Sequence, residues 1–310
     1  MHVLSIPACS MTNAPQPDHS SLALTLEMPY ATLISVADLA ARLDDANYVV
    51  CDCRHDLAEP EAGRRAYAEA HIPGARFVHL EEDLSAPKNG RNGRHPLPEA
   101  GAFARRLGEL GISNTSQVVA YDASGGYYAA RLWWMLRWLG HDAVAVLDGG
   151  WNAWLGAGKS VTAQLPQARP ATFIPRPRPG LALNAASIAA ASGKARSLLL
   201  DARAPNRYRG ENETLDPVAG HIPGAANRFF QLNLDSGGKF RPAAALKQEF
   251  AGLLGNNAPE SVTHYCGSGV TACHNLLAME VAGLAGSRLY PGSWSEWCSD
   301  PSRPVATGDS

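Results

Sequence analysis

Short apolar runs of four or five residues alternate along the chain with longer stretches in which apolar positions recur every three or four residues. That order predicts buried parallel strands covered on both faces by helices. Ser35-Val36-Ala37-Asp38 reads as a capping box opening a helix that Leu39 and Leu43 continue. Tyr48 to Cys51 reads as a buried strand ending at Asp52-Cys53-Arg54, and His71-Ile72-Pro73-Gly74-Ala75 as a turn. Ser85 to Pro98, rich in Gly, Asn, Pro and Arg, reads as a solvated surface loop, with the lining of a cleft from the first domain by Arg91, Arg94 and His95 as the alternative. A helix, a strand at Val118 to Tyr121, another helix and a strand at Ala143 to Leu147 follow, closing on Asp148-Gly149-Gly150-Trp151-Asn152-Ala153-Trp154.

The same order then returns. Asp201-Ala202-Arg203 answers Asp52-Cys53-Arg54, the motif His-Ile-Pro-Gly-Ala recurs at His221, Tyr265-Cys266 answers Tyr121-Asp122, and Gly292 to Trp297 answers Gly149 to Trp154. Four landmarks in one order, offset by 143–150 residues, predict a duplicated domain. The expected organisation is a loose tail over 1–28, a first domain over 29–156, a Pro/Arg/Gln-rich linker over 157–182 and a second domain over 183–305. Asp122 stands where Cys266 stands, and a carboxylate cannot carry sulfur, so only the second domain is expected to be catalytic.

Composition narrows the function classes. The chain of 310 residues is 45% hydrophobic and 18% charged with net charge −2, which offers no electrostatic case for nucleic acid or an anionic membrane. No apolar run approaches a membrane span. Six cysteines without a dense spacing pattern point to a reducing, cytoplasmic setting rather than a disulfide framework. No residue cluster implies a metal or an organic cofactor.

The chemistry concentrates in Tyr265-Cys266-Gly267-Ser268-Gly269-Val270-Thr271-Ala272, between the strand Val262 to Tyr265 and a helix whose apolar face runs from Cys273 to Leu284, with Gly286 placed to end it. A cysteine at a strand-to-helix turn meets the positive end of the helix and free backbone N–H groups, which stabilise its thiolate. Gly267 and Gly269 let the backbone curl closely around the sulfur. The other cysteines read as inert core thiols. Cysteine-dependent phosphatases need an arginine six residues after the nucleophile, where this chain has Ala272. A non-catalytic sulfur-relay module is the alternative from a different class.

These features together resemble the two-domain rhodanese-type sulfurtransferases over roughly residues 30 to 300, and the Cys-Gly-Ser-Gly-Val-Thr loop is most similar to the 3-mercaptopyruvate sulfurtransferase form. The resemblance implies two tandem α/β domains, each a parallel sheet with helices on both faces. It implies that Cys266 takes a sulfane sulfur from 3-mercaptopyruvate, or alternatively thiosulfate, as a persulfide and passes it to a thiol, cyanide or thioredoxin-like acceptor. By the same resemblance Ser268 handles a proton, Gly267, Gly269, Val270 and Thr271 cradle the substrate sulfur, Arg207 grips the donor's anionic group, and His71 is the first-domain histidine beside Ser268. His221 duplicates His71, which favours a shared turn-forming job for both. The chain departs from the family at Glu213 to Pro217, where a second arginine is usual, and Glu59 and Glu61 are the candidate acidic partners of His71.

Overall fold

The computed structural model describes residues 1–3, 28–167, 169–191 and 197–309; the tail expected over 1–28 lies almost wholly outside them. The first half runs β1 (Leu33–Ile34), α1 (Val36–Ala40), β2 (Tyr48–Asp52), α2 (Ala62–Glu69), β3 (Arg76–Phe77), α3 (Ala100–Glu109), β4 (Gln117–Tyr121), α4 (Tyr127–Trp138), β5 (Val144–Leu147) and α5 (Gly150–Gly156). The second runs α6 (Ala185–Ala191), β6 (Leu198–Asp201), α7 (Pro205–Arg209), β7 (Ala225–Asn227), α8 (Ala243–Leu254), β8 (Val262–Tyr265), α9 (Thr271–Val281), β9 (Arg288–Leu289) and α10 (Ser293–Trp297). All strand pairs are parallel, in the orders β1-β5-β4-β2-β3 and β7-β6-β8-β9. The second sheet has no counterpart of β1, but Ala182 bridges Leu289 in parallel and supplies the missing edge.

Ser35 caps α1 by accepting the Asp38 N–H, and the helix stops at Ala40, short of the expected Leu43. Helices α3, α4 and α9 end alike: Gly111, Gly140 and Gly283 take positive φ just past the helix, and the next N–H reaches back to Leu107, Leu136 and Met279, the Schellman arrangement. Gly283 therefore ends α9, not Gly286.

The duplication extends to individual atoms. In the first half Arg54 pairs with buried Asp52 at 2.6 Å and lies over the Trp151 ring, while Tyr121 donates its hydroxyl to Asp52. In the second, Arg203 pairs with Asp201 at 2.7 Å and lies over Trp294, with Tyr265 in the place of Tyr121. A buried charge survives only when paired and hydrogen-bonded, so each motif ties two strand ends to the segment after the last strand.

Helices α4 and α9 pack on each other between the two sheets and are buried on almost every side, which is why neither shows a one-sided apolar stripe. The segment after α5 has little regular structure yet is not loose: it crosses the first domain through backbone bonds of Thr162 to His71, Ala171 to Gly108 and Arg178 to Trp138, with Phe173 buried. No helix among the described residues is long and apolar enough to cross a membrane.

Asp52→Ala leaves the Arg54 guanidinium buried without its carboxylate and should cost about 3–5 kcal/mol. Denaturant unfolding measures this, and a loss below about 1 kcal/mol would show the pair to be marginal to the fold.

Candidate active site

The strand β8 delivers Cys266 to the start of α9, at the carboxyl end of a parallel sheet where open α/β folds place their ligands. The residue is buried, and its Sγ accepts the Gly269 N–H at 3.1 Å. The first turn of α10 holds the loop from outside: Cys266 N–H donates to Ser293 Oγ, and Trp294 N–H and Ser295 N–H donate to the carbonyls of Cys266 and Gly267. Gly269 has φ +76, and a Cβ there would stand 2.3 Å from the Pro291 carbonyl, so only glycine fits. From the first domain, the buried Arg131 of α4 donates to the Gly269 carbonyl at 3.0 Å and to the carbonyls of Leu84 and His95. One guanidinium thus joins the two domains beneath the nucleophile.

The first half shows what such a loop binds. Asp122 occupies the position of Cys266, and its carboxylate accepts the N–H groups of Ser124, Gly126, Tyr128 and Ala129 at 2.7–2.9 Å. The corresponding donors in the second half belong to Ser268, Val270, Ala272 and Cys273. In the first domain the cradle is filled by the protein's own anion, whereas in the second a sulfur stands at its floor.

The other thiols among the described residues are unsuited to nucleophilic work. Burial pushes Cys51 and Cys273 up to about 12 and Cys298 to about 11, which keeps them protonated. All five described cysteines are unpaired.

His71 is not at the site. It is buried in its own domain, with Nδ1 against the Tyr67 carbonyl at 2.7 Å and its ring stacked on Tyr67, as His221 is placed against Tyr208. Its ring faces Tyr67 and Gln164, and neither Glu59 nor Glu61 partners it; those two pair with Arg65 and Arg64. The histidine beside Ser268 is His95, whose Nδ1 lies 2.8 Å from Ser268 Oγ and whose Nε2 lies 3.9 Å from Glu81 Oε1. The reading of residues 85–98 as solvated loop is wrong at this point: His95 is buried and Arg94 lines the pocket. The segment crosses to the second domain, where Arg94 N–H donates to Ser295 Oγ. Burial, with help from the nearby Arg131 and Arg94 charges, lowers His95 to about 2, so its imidazole is neutral at physiological pH.

Above the loop opens a cavity of about 220 Å³. Three arginines, Arg94, Arg203 and Arg207, line it together with the aromatic residues Tyr127, Tyr128, Phe229 and Phe230 and with Leu57 and Leu215. Cys266, Gly267, Ser268, Val270 and Thr271 all border it. Arg207 faces the cavity and is paired with Glu213 at 2.8 Å and Asp216 at 3.2 Å. Ala66, next to Tyr67 as Arg207 is next to Tyr208, stands opposite it in the repeat.

Among the described residues Glu61, His79 and Glu82 bring three potential metal ligands together. His79 Nδ1, however, accepts the N–H groups of Glu81 and Glu82, which leaves the proton on Nε2, facing the Pro60 carbonyl. In that tautomer the ring has no lone pair free for a cation.

Comparison with known proteins agrees with this architecture. The family model for the rhodanese-like domain matches twice, over residues 35–157 and 184–300. A probable 3-mercaptopyruvate sulfurtransferase of Pseudomonas aeruginosa is 50% identical over 284 residues, covering 91% of this chain and 100% of that protein. Thiosulfate sulfurtransferase of Gallus gallus is 35% identical over 86% of this chain and 91% of its own length. Among solved structures, 3-mercaptopyruvate sulfurtransferase from Leishmania major superposes with a TM-score of 0.77 at 28% identity, covering 87% of this chain and 75% of that one. The chain belongs to the rhodanese family, as a sulfurtransferase with two rhodanese-like domains.

Three buried histidines set an acid limit on the fold. His95, His264 and His274 are lowered to about 2, 3 and 4, chiefly by burial. The unfolded chain takes up their protons below about pH 6.5 and the folded chain does not, so stability present above that pH is lost as pH falls. Each should contribute a slope of about 1.4 kcal/mol per pH unit below pH 6.5. Urea unfolding between pH 7 and 5.5 measures the slope; His264→Leu should reduce it by one histidine's share, and a flat profile would contradict the assignment.

Proposed function

We propose that the protein transfers the sulfur of 3-mercaptopyruvate through a Cys266 persulfide. The observation that carries this reading is the placement of one thiol at the floor of a main-chain cradle, with arginines and the Ser268–His95 pair on the wall above it. The Cys266 thiolate attacks the donor sulfur, the S–C bond breaks, and its electron pair passes to the carbon as the enolate of pyruvate, which then takes a proton. The Ser268 hydroxyl, bonded to a neutral imidazole, is placed to deliver that proton. The persulfide left on Cys266 gives its proton to the Ser268 oxygen, restoring the hydroxyl, and its negative terminal sulfur enters the cradle that Asp122 fills in the other half. Arg207, Gly267, Gly269, Val270 and Thr271 bind the donor in this reading. His71 has no part in it.

Charge balance favours this donor over thiosulfate. The three guanidinium groups of the pocket are matched by Asp201, Glu213 and Asp216, and the Cys266 to Thr271 loop carries no basic residue. With those three matched, Arg131 beneath the loop is the one guanidinium of the site without a carboxylate partner among the described residues, which suits a monocarboxylate better than a dianion, since a dianion needs more uncompensated cation as it is desolvated. The acceptor is a thiol, cyanide or a thioredoxin-like protein, and unpaired cysteines fit a reducing cytoplasmic compartment.

Steady-state assays with cyanide as acceptor test this directly. Mercaptopyruvate should exceed thiosulfate in kcat/KM by about tenfold or more, with the parallel-line pattern of a ping-pong reaction. Cys266→Ser should abolish turnover with an unchanged melting temperature, because the hydroxyl keeps the shape but cannot hold a sulfane sulfur. Thiosulfate in the lead would overturn the donor assignment, and near-normal turnover by the serine variant would overturn the nucleophile.

A further inference from the structure

Resting on the sulfur-donor reading above, we propose that Asp216 selects donors by charge, its carboxylate standing as a resident counter-ion between Arg94 of the first domain and Arg207 of the second and so disfavouring dianions. Asp216 Oδ1 accepts Arg94 Nη1 at 2.6 Å and Oδ2 accepts Arg207 Nη2 at 3.2 Å. Both arginines line the cavity above Cys266, and the side chain that joins them is 3% exposed. Its charge is therefore screened little by salt, and an anion approaching either arginine meets it.

The segment that carries Asp216 belongs to the working half alone. In both halves a histidine is stacked on a tyrosine and turns its Nδ1 to that tyrosine's carbonyl. Tyr67 and His71 are four residues apart, however, and Tyr208 and His221 thirteen. The longer connection brings Leu215 to the cavity and Glu213 and Asp216 to the arginines that line it. Its two carboxylates are held differently. Glu213 accepts the N–H groups of Leu215 and Asp216 as well as Arg207 and Arg203, so it shapes the segment. Asp216 is held, among the described residues, by the two guanidinium groups alone. Burial pushes its carboxyl up, and the pull of Arg94 and Arg207 offsets only part of that. A carboxylate kept where burial disfavours it points to work beyond holding the fold. Coulomb energy scales with the charge of the ligand. The resident charge thus opposes a dianion with twice the free energy it sets against a monoanion at the same place, and in affinity the dianion's penalty is the square of the monoanion's.

The test measures competitive inhibition by methanesulfonate, a monoanion, and by sulfate, a dianion of similar tetrahedral shape, at fixed ionic strength in wild type, Asp216→Asn and Asp216→Glu. Asp216→Asn should tighten methanesulfonate by about three- to tenfold and sulfate by about ten- to a hundredfold. The same variant should raise the ratio of kcat/KM for thiosulfate to that for 3-mercaptopyruvate. Asp216→Glu, which keeps the charge, should leave both inhibition constants near those of wild type. Sulfate no tighter in the asparagine variant, the two anions tightened equally, or the same shifts in the glutamate variant would show that the residue merely joins the domains, and would overturn the proposal. Wild-type donor preference tests the donor reading separately. Should wild type favour thiosulfate, that reading fails, while the two inhibition constants still decide the role of Asp216.

Discussion

One residue, Gly269, connects the nucleophile to the rest of the molecule. Its N–H donates to the Cys266 sulfur and its carbonyl accepts from Arg131 of the other domain. Its positive φ against the Pro291 carbonyl leaves no room for a side chain. Much else can be understood as support for that arrangement. The two central helices bury each other so that Arg131 reaches across, and the first turn of α10 fixes the loop from the opposite side. A guanidinium with no carboxylate partner among the described residues, placed under a sulfur that becomes an anion, keeps positive charge where the reaction develops negative charge.

Duplication explains how such a site was assembled from two similar halves. Both domains keep the aspartate–arginine pair under a tryptophan and the histidine stacked on a tyrosine. Both keep the anion cradle as well, and they differ in its occupant. Each domain also extends the segment before a long helix toward the cradle of the other. Arg94 and His95, ahead of α3, reach the working loop at Gly267 and Ser268, while Phe240, ahead of α8, lies beside Gly126 of the self-filled one. The polar segment lies against the Cys266 loop, and the apolar one covers the loop that Asp122 fills.

The sequence disclosed most of this where the evidence was local or repeated. Apolar runs marked β2, β4, β5 and β8 closely, and the recurring motifs disclosed two sheets of one pattern. Chemistry carried within a few consecutive residues, as at Cys266, was legible for the same reason. What escaped depended on distant pairing. Arg94 and His95 sit in a stretch of Gly, Asn and Pro whose composition reads as solvated loop, and their burial comes from a domain with which they share no local pattern. His71 was matched to the wrong place because its motif is conspicuous. Its repetition at His221 was the better guide: in a duplicated protein with one working site, residues present in both halves serve the shared fold, and residues without a counterpart deserve the functional search. The segment after α5 escaped likewise, since backbone pairing with the first domain leaves no periodicity to read.

The account's central claim is that Cys266 alone carries the transferred sulfur. Intact mass spectrometry after a brief exposure to 3-mercaptopyruvate, followed by peptide mapping under non-reducing conditions, measures it most directly. The prediction is one added sulfur atom per chain, located at Cys266 and removed by cyanide. Sulfur found on Cys273 or spread over several cysteines, or a protein that turns over donor with no added mass at all, would contradict it.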